Sequence, residues 1–255
     1  MIVAAIVAIP FVWTLFLSFQ HPTAIVAGRV SVVDVTFDNY RTILDPGSRY
    51  CAWLVNSIRN AASMTAIVAA LAVPAGFGAV LARARAVRAI GWSALLVYLL
   101  PPVMIVIPLA LVLRTLGVES PFLRVLLGQV AFALPLGFWL SVAAFRSIER
   151  GAIESATLDG ATPWSMMFHV GIPAAAPALV AVFVLVWAVS WSDFLFASSL
   201  GFGDSGKTLP VGLNELYQAS AVDWGVLMAA CVVATLPSAL LLLFAGRTLM
   251  DRWRA

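Results

Sequence analysis

The sequence predicts an all-α integral membrane protein whose chain crosses the bilayer six times. Of its 255 residues, 62% are hydrophobic and only 11% are charged, whereas a soluble domain carries roughly 25% charged residues. The hydrophobic residues concentrate in six long runs, and about 20 apolar residues in a helix span the hydrocarbon core. Polar segments separate these runs. An even number of spans places both termini on one side of the membrane.

The predicted spans differ in their local signals. The first is an 18-residue apolar run from Ile2 to Phe19, without the basic start and shorter apolar core of a signal peptide. The third carries Pro101, Pro102 and Pro108, so it is predicted to be kinked and to face other helices, which can satisfy the freed backbone groups. The spans are predicted at 2–19, 55–81, 89–113, 122–145, 174–200 and 225–246, in a single membrane domain over residues 1–255.

A polar segment between the fourth and fifth spans, residues 146–173, is predicted to form two short helices joined by a hinge. Asp159-Gly160 marks the end of the first helix, because glycine adopts the left-handed conformation there without a side-chain clash. Thr162-Pro163 marks the start of the second, with threonine as the cap and proline at the first helical position. The helices are predicted near 149–159 and 163–170.

Each short helix carries a face suited to contact another protein. In the first, Ala156 and Gly160 lie four residues apart and leave a smooth stripe that a second surface can approach closely. In the second, Trp164, Met167 and Phe168 lie at i, i+3 and i+4 and are predicted to form a bulky apolar knob. Helix-in-groove docking is a common way to bury such a knob.

The spacing of this segment resembles the EAA loop of ABC importer permeases, written E-A-A-x3-G-x9-I-x-L-P. Here Glu154-Ser155-Ala156 is followed after three residues by Gly160, and after nine more by Val170-Gly171-Ile172-Pro173. The form Asp159-Gly160-Ala161 is similar to that of sugar importers, so the chain resembles the maltose-type sugar permeases over residues 36–251. The alternative interpretation is an ordinary amphipathic connecting loop.

The resemblance implies a type I ABC importer fold, also called MetI-like, with residues 146–173 as a cytosolic coupling loop. It implies two cytosolic ATPase subunits, a second related permease and an extracytoplasmic solute-binding protein as partners, in a bacterial cytoplasmic membrane. ATP hydrolysis would then reside in the ATPases, so this chain is not expected to be an enzyme. The implied ATPase-coupling residues are Glu154, Ser155, Ala156, Asp159, Gly160, Ala161, Trp164, Met167, Phe168, Ile172 and Pro173.

A second resemblance lies between the last two predicted spans. Residues 208–213 read T-L-P-V-G-L and are similar to a loop of maltose-type permeases that reaches the docked binding protein. The overlapping residues 201–208 also fit the phosphate-binding pattern G-x4-G-K-[ST], but no strand is predicted before them, and Pro210 and Gly212 are expected to disrupt a following helix. The implied binding-protein contacts are Thr208, Leu209, Pro210, Val211, Gly212 and Leu213.

Asp193 is the single acidic residue within an apolar run. A charge in a span is costly, so it should face the bundle interior or a water path and have a partner. Trp191-Ser192-Asp193-Phe194 resembles the W-N-[ED]-[FY] pattern of sugar permeases, with Ser192 in place of asparagine. Ser192 and Asp193 therefore remain candidates both for a structural role and for the translocation path.

Charge sets the predicted orientation and excludes one class of partner. With residues 146–173 in the cytosol, eight arginines lie on the cytosolic side, against five basic residues in outer loops, or seven including two at span ends. This bias favours a cytosolic C-terminus. The net charge of +3 comes from arginines at span ends rather than from a basic patch, so nucleic-acid binding is not expected.

Other functional classes leave their own signals in a sequence. The two cysteines and two histidines lack ligand spacing, so neither a metal nor a cofactor is predicted. A secondary transporter usually carries more ionisable residues within its spans, and a membrane enzyme needs clustered catalytic groups. The prediction is therefore a permease for a sugar or oligosaccharide. A polyamine or another small polar solute is the alternative cargo, and a secondary transporter is the more distant alternative.

Overall fold

The computed structural model describes residues 2–82, 91, 96, 98–203 and 206–253, and the regular elements in this part of the chain are all helices. They are α1 (Ile2–Ser18), α2 (Pro22–Val26), α3 (Asp38–Leu44), α4 (Arg49–Ala82), α5 (Pro102–Thr115), α6 (Pro121–Arg146), α7 (Arg150–Leu158), α8 (Pro163–Met166), a π turn (Met167–Gly171), α9 (Ile172–Trp191), α10 (Leu195–Leu200), α11 (Leu209–Gln218) and α12 (Trp224–Trp253).

Four helical stretches within the described residues are long and apolar enough to cross a bilayer: Arg49–Leu81, Pro121–Arg146, Pro163–Trp191 and Trp224–Gly246. The apolar helices α1 and α5 are shorter. Residues 89, 90, 92–95 and 97 of the predicted third span, residues 89–113, lie outside the described residues, as do the arginines between 83 and 88. The helix that contains the second predicted span, residues 55–81, begins earlier, at Arg49.

The helix that contains the predicted fifth span, residues 174–200, differs from that prediction at both ends. The second short helix does not stop before the span, because α8, the π turn and α9 form one continuous helix, Pro163–Trp191. Pro173 lies within this helix, directly after the π turn. The span then ends at Trp191, and Asp193 lies in the break before α10.

The core runs along the length of α4. In the middle, α4 packs against α6 and α9 through small and aliphatic side chains that interdigitate. Towards the C-terminal end of α4, Phe77 and Phe145 meet edge to face and contact the π turn. The central cluster is Met64, Val68, Ala72, Leu126, Val130, Ala133, Val182 and Val186.

Candidate functional site

The hinge between the two short helices has the geometry that its sequence predicts. Gly160 has φ of 75°, and the N–H groups of Gly160 and Ala161 donate to the carbonyls of Thr157 and Ala156 at 3.1 and 3.0 Å. This is a Schellman end, which satisfies carbonyls at the end of α7. A Cβ on Gly160 would meet nothing within 4 Å, so within this chain the backbone conformation alone requires glycine.

The start of the next helix also follows its local signals. The hydroxyl of Thr162 accepts a hydrogen bond from the N–H of Ser165 at 3.3 Å, and Pro163 occupies the first helical turn. Threonine as the cap and proline just after it leave few backbone donors unsatisfied. The capping prediction is therefore confirmed, although the helix it starts is longer than expected.

The predicted apolar knob is only partly correct. Trp164 and Phe168 are 62% and 57% exposed, and their rings stack with centroids 6.3 Å apart. Met167, predicted beside them, is 3% exposed and packs in the chain's own core with Met166. The correction follows from the π turn, which changes the rotation of the helix at this point.

The remaining residues of the EAA-like motif divide between solvent and core. Ala156, Ala161 and Ile172 are half-buried and pack against the cluster around Phe77 and Phe145. Sequence reasoning missed Leu158, which is 89% exposed. Its exposure could have been predicted because Leu158 lies one helical turn after Glu154, so both side chains point to the same side of α7. The residues of the motif that lie on the exposed side are Glu154, Ser155, Asp159, Gly160 and Pro173.

The segment that resembles the binding-protein loop is buried rather than displayed. Thr208 is the N-cap of α11 and Leu209 and Val211 are buried, while Pro210 and Leu213 are half-buried. The Leu209 N–H donates to the Ser57 hydroxyl of α4 at 2.7 Å. The segment therefore begins a helix instead of forming an extended loop, because proline in a first turn starts a helix. Its contact with a binding protein stays a prediction. The exposed residues lie one turn further on: Asn214, Glu215, Tyr217 and Gln218.

The same helix corrects one argument about the phosphate-binding pattern. Pro210 and Gly212 were expected to disrupt a following helix, yet α11 follows directly. The element before the pattern is α10 rather than a strand, so the context that a phosphate loop needs is still not met. Lys207 forms an ion pair with Glu215 of α11, with 2.9 Å between Nζ and Oε1.

A polar network lies where α9 breaks, and sequence reasoning identified only part of it. The Gln129 amide nitrogen donates to the Asp193 carboxylate at 2.8 Å, and its amide oxygen accepts from Asn60 and Ser190, each at 2.7 Å. Asp193 also accepts from the N–H groups of Phe196 and Ala197 at 3.2 and 3.1 Å. It therefore caps α10 and has a partner inside the chain. Ser192 is exposed and is not part of the network.

One atom of this network stands out. Asn60 is 2% exposed, and among the described residues its amide oxygen has no hydrogen-bond partner. The network joins α4, α6, α9 and the start of α10 through amide and hydroxyl groups and the Asp193 carboxylate. Such an arrangement fixes the relative positions of helices, because each buried polar group needs its partner.

Four helices of bilayer length, one of which carries an exposed aromatic pair near its start, define a multi-pass membrane protein. The chain belongs to the family of binding-protein-dependent transport system inner membrane components, whose model matches residues 72–255. It is therefore an ABC transporter permease, a multi-pass protein of the inner membrane.

Characterised relatives cover most of the chain. The trehalose transport system permease protein SugB of Mycobacterium tuberculosis is 31% identical over 90% of this chain and 84% of its own length. The trehalose/maltose transport system permease protein MalG of Thermococcus litoralis is 27% identical over 92% of this chain and 86% of its own. The crystal structure of a bacterial ABC transporter involved in the import of the acidic polysaccharide alginate matches with a TM-score of 0.76 and 21% identity, over 96% of this chain and 92% of that chain. That structural match shows a common fold.

Proposed function

We propose that this chain is one permease of an ATP-driven importer for a sugar or oligosaccharide. The observation that carries the proposal is the Trp164–Phe168 pair, stacked and exposed on a helix whose other side is fixed in the core. Large aromatic side chains at an exposed, ordered position are typical anchors of a protein interface. The printed activities of the relatives, trehalose and trehalose/maltose transport, support a sugar as the cargo.

The proposed assembly contains two permeases, two cytosolic ATPases and an extracytoplasmic binding protein. Residues 146–173 lie in the cytosol, where an ATPase holds the Trp164–Phe168 pair in a groove, and six spans leave both termini on that side. ATP-driven closure of the ATPases moves the loop. Because α9 continues directly from the π turn, a displacement of the pair is transmitted along a rigid helix to the break at Asp193.

Affinity purification of the tagged chain from its native membranes in mild detergent, followed by mass spectrometry, tests the assembly. We expect an ATPase and a second permease in the eluate, and their loss in the Trp164→Asp variant. Val170→Asp, a half-buried position of the same helical segment, is the matched control for the added charge. Recovery of the chain alone, or only as a homo-oligomer, would contradict the proposal.

Uptake measurements test the cargo. Cells that depend on this chain should take up labelled trehalose or maltose in an ATP-dependent manner and should lose that uptake with Trp164→Asp. Labelled putrescine serves as the competing polyamine substrate. Uptake of putrescine without uptake of either sugar would replace the sugar proposal and leave the importer assembly intact.

A further inference from the structure

The helical spacing of the buried residues of α9, extended back towards the loop, predicts an orientation of the preceding residues that the structure does not show. Ala175, Leu179, Val182 and Val186 are buried and form a stripe at helical spacing. Residues 4, 7 and 11 positions before Ala175 are Gly171, Phe168 and Trp164. In an unbroken α-helix these spacings share one face. That helix would turn the aromatic pair towards the core.

The π turn prevents this. The N–H of Ile172 donates to the carbonyl of Met167, five residues back rather than four. One additional residue in a turn rotates everything before it by about 100° relative to α9. Gly171 stays on the buried face, whereas Phe168 and Trp164 are exposed and Met166 and Met167 take the core positions.

Several contacts stabilise this rotated register. A Cβ on Gly171 would lie 2.7 Å from Cε2 of Phe77, so only glycine allows the turn to approach that ring. The His169 ring contributes a hydrogen bond to the Ser165 carbonyl, with 3.0 Å between Nδ1 and O. The Thr157 hydroxyl donates to the Ile153 carbonyl at 2.8 Å and lies 3.6 Å from the sulfur of Met166, so the buried methionine contacts α7.

We propose that the π turn positions the loop for its partner by turning the Trp164–Phe168 pair outward and the Met166–Met167 pair inward. Gly171 and His169 are the positioning residues, because they hold the turn without belonging to the exposed pair. The functional consequence rests on the proposed coupling to an ATPase. The register itself is a property of this chain alone, and it can be measured without any partner.

Deletions of one and of two residues test the register of this helical segment. A π turn contains one residue more than an α turn, so deleting Val170 should leave a regular α-helix with both pairs facing as they do now. Deleting both His169 and Val170 should rotate the preceding segment by a further turn angle of about 100° and expose Met167. If this helical segment only held the fold together, the chain would tolerate neither deletion. Deleting Val170 would then disturb the chain as much as deleting both His169 and Val170.

The readout is maleimide labelling in membranes, in a background with Cys51→Ser and Cys231→Ser. We expect the Phe168→Cys reporter to react quickly and the Met167→Cys reporter slowly, both in the parent chain and after deletion of Val170. The double deletion should make the Met167→Cys reporter fast. The inference is overturned if deleting Val170 protects Phe168→Cys and exposes Met167→Cys, or if that single deletion prevents the chain from accumulating in the membrane.

Co-purification then separates this inference from the proposed function. The chain lacking Val170 should retain its ATPase, whereas the double deletion should lower recovery by tenfold or more, since each tenfold in affinity corresponds to about 1.4 kcal/mol and interface anchors exceed that. If the labelling follows expectation but the parent chain retains no ATPase, the register stands and the proposed function fails. If the parent chain retains its ATPase but deletion of Val170 protects Phe168→Cys and exposes Met167→Cys, the register inference fails and the proposed function stands.

Discussion

Gln129 connects three separate parts of the chain through a single side-chain amide. Its oxygen accepts from Asn60 and Ser190, and its nitrogen donates to Asp193. A buried charge without hydrogen bonds costs several kcal/mol, whereas one that accepts from amides is tolerated. Gln129 therefore helps to keep the Asp193 carboxylate at the break between α9 and α10, where no cation among the described residues forms an ion pair with it.

Replacing Gln129 with an apolar residue of similar size should destabilise the protein, because the hydrogen bonds of its amide are lost. Gln129→Leu leaves the donors of Asn60 and Ser190 and one carboxylate oxygen of Asp193 with fewer partners, which should lower the free energy of unfolding by roughly 1–3 kcal/mol. The change is measured by denaturant titration of the purified chain in detergent. Gln218→Leu, the same substitution at an exposed position, should stay within about 0.5 kcal/mol. Equal effects of both substitutions would show that the network contributes nothing specific.

Gly160 allows backbone strain and partner contact to be distinguished. Because its φ is positive and a Cβ would meet nothing within 4 Å, Gly160→Ala should cost about 1 kcal/mol of stability and Gly160→Asn less, since asparagine tolerates this conformation. Gly160→Trp should cost about as much stability as alanine, yet it alone should abolish ATPase co-purification. The measurements are thermal unfolding and recovery of the ATPase. Loss of the ATPase with alanine as well would attribute the effect to the hinge rather than to close approach.

At the scale of elements, α11 packs closely against α4 at Gly212. A Cβ on Gly212 would overlap the ring of Trp53, a side chain that is 1% exposed. Gly212→Ala should therefore force one helix away from the other and lower stability by about 1–3 kcal/mol, as overpacking does. Trp53→Leu should remove most of that penalty in the double variant. A double-mutant cycle measures the coupling, and additive effects would contradict the proposed contact.

The same elements show what a sequence can predict. The stop at Gly160 and the start at Thr162 depend on bonds within a few residues, so they could be predicted. The π turn depends on Phe77 and Phe145, which approach from α4 and α6 and leave no local trace. The Gln129–Asp193 bond joins residues 64 positions apart. Asp193 could be predicted as a site residue because a charge is rare in an apolar run, whereas a glutamine within α6 gives no comparable signal.

At the scale of the whole molecule, α4 sets the separation of the two candidate contact regions. Trp53, near its start, contacts α11, and Phe77, near its end, contacts the π turn. They are 24 positions apart, which corresponds to a rise of about 36 Å at 1.5 Å per residue and exceeds the roughly 30 Å hydrocarbon core. If α4 spans the bilayer, we expect the exposed side of α11 and the Trp164–Phe168 pair to lie on opposite sides of the membrane.

Accessibility labelling checks this topology and its direction. In a chain with Cys51→Ser and Cys231→Ser, Gln218→Cys should react with a membrane-impermeant maleimide in intact cells. Glu154→Cys, equally exposed in the fold, should react only after the membrane is permeabilised. The physical reason is that α4 is apolar and longer than the hydrocarbon core, so a membrane-spanning α4 has its two ends on opposite faces. Labelling of both positions in intact cells would contradict the spanning role of α4. The reverse pattern would keep that role and place the loop outside the cell, where no ATPase could bind it.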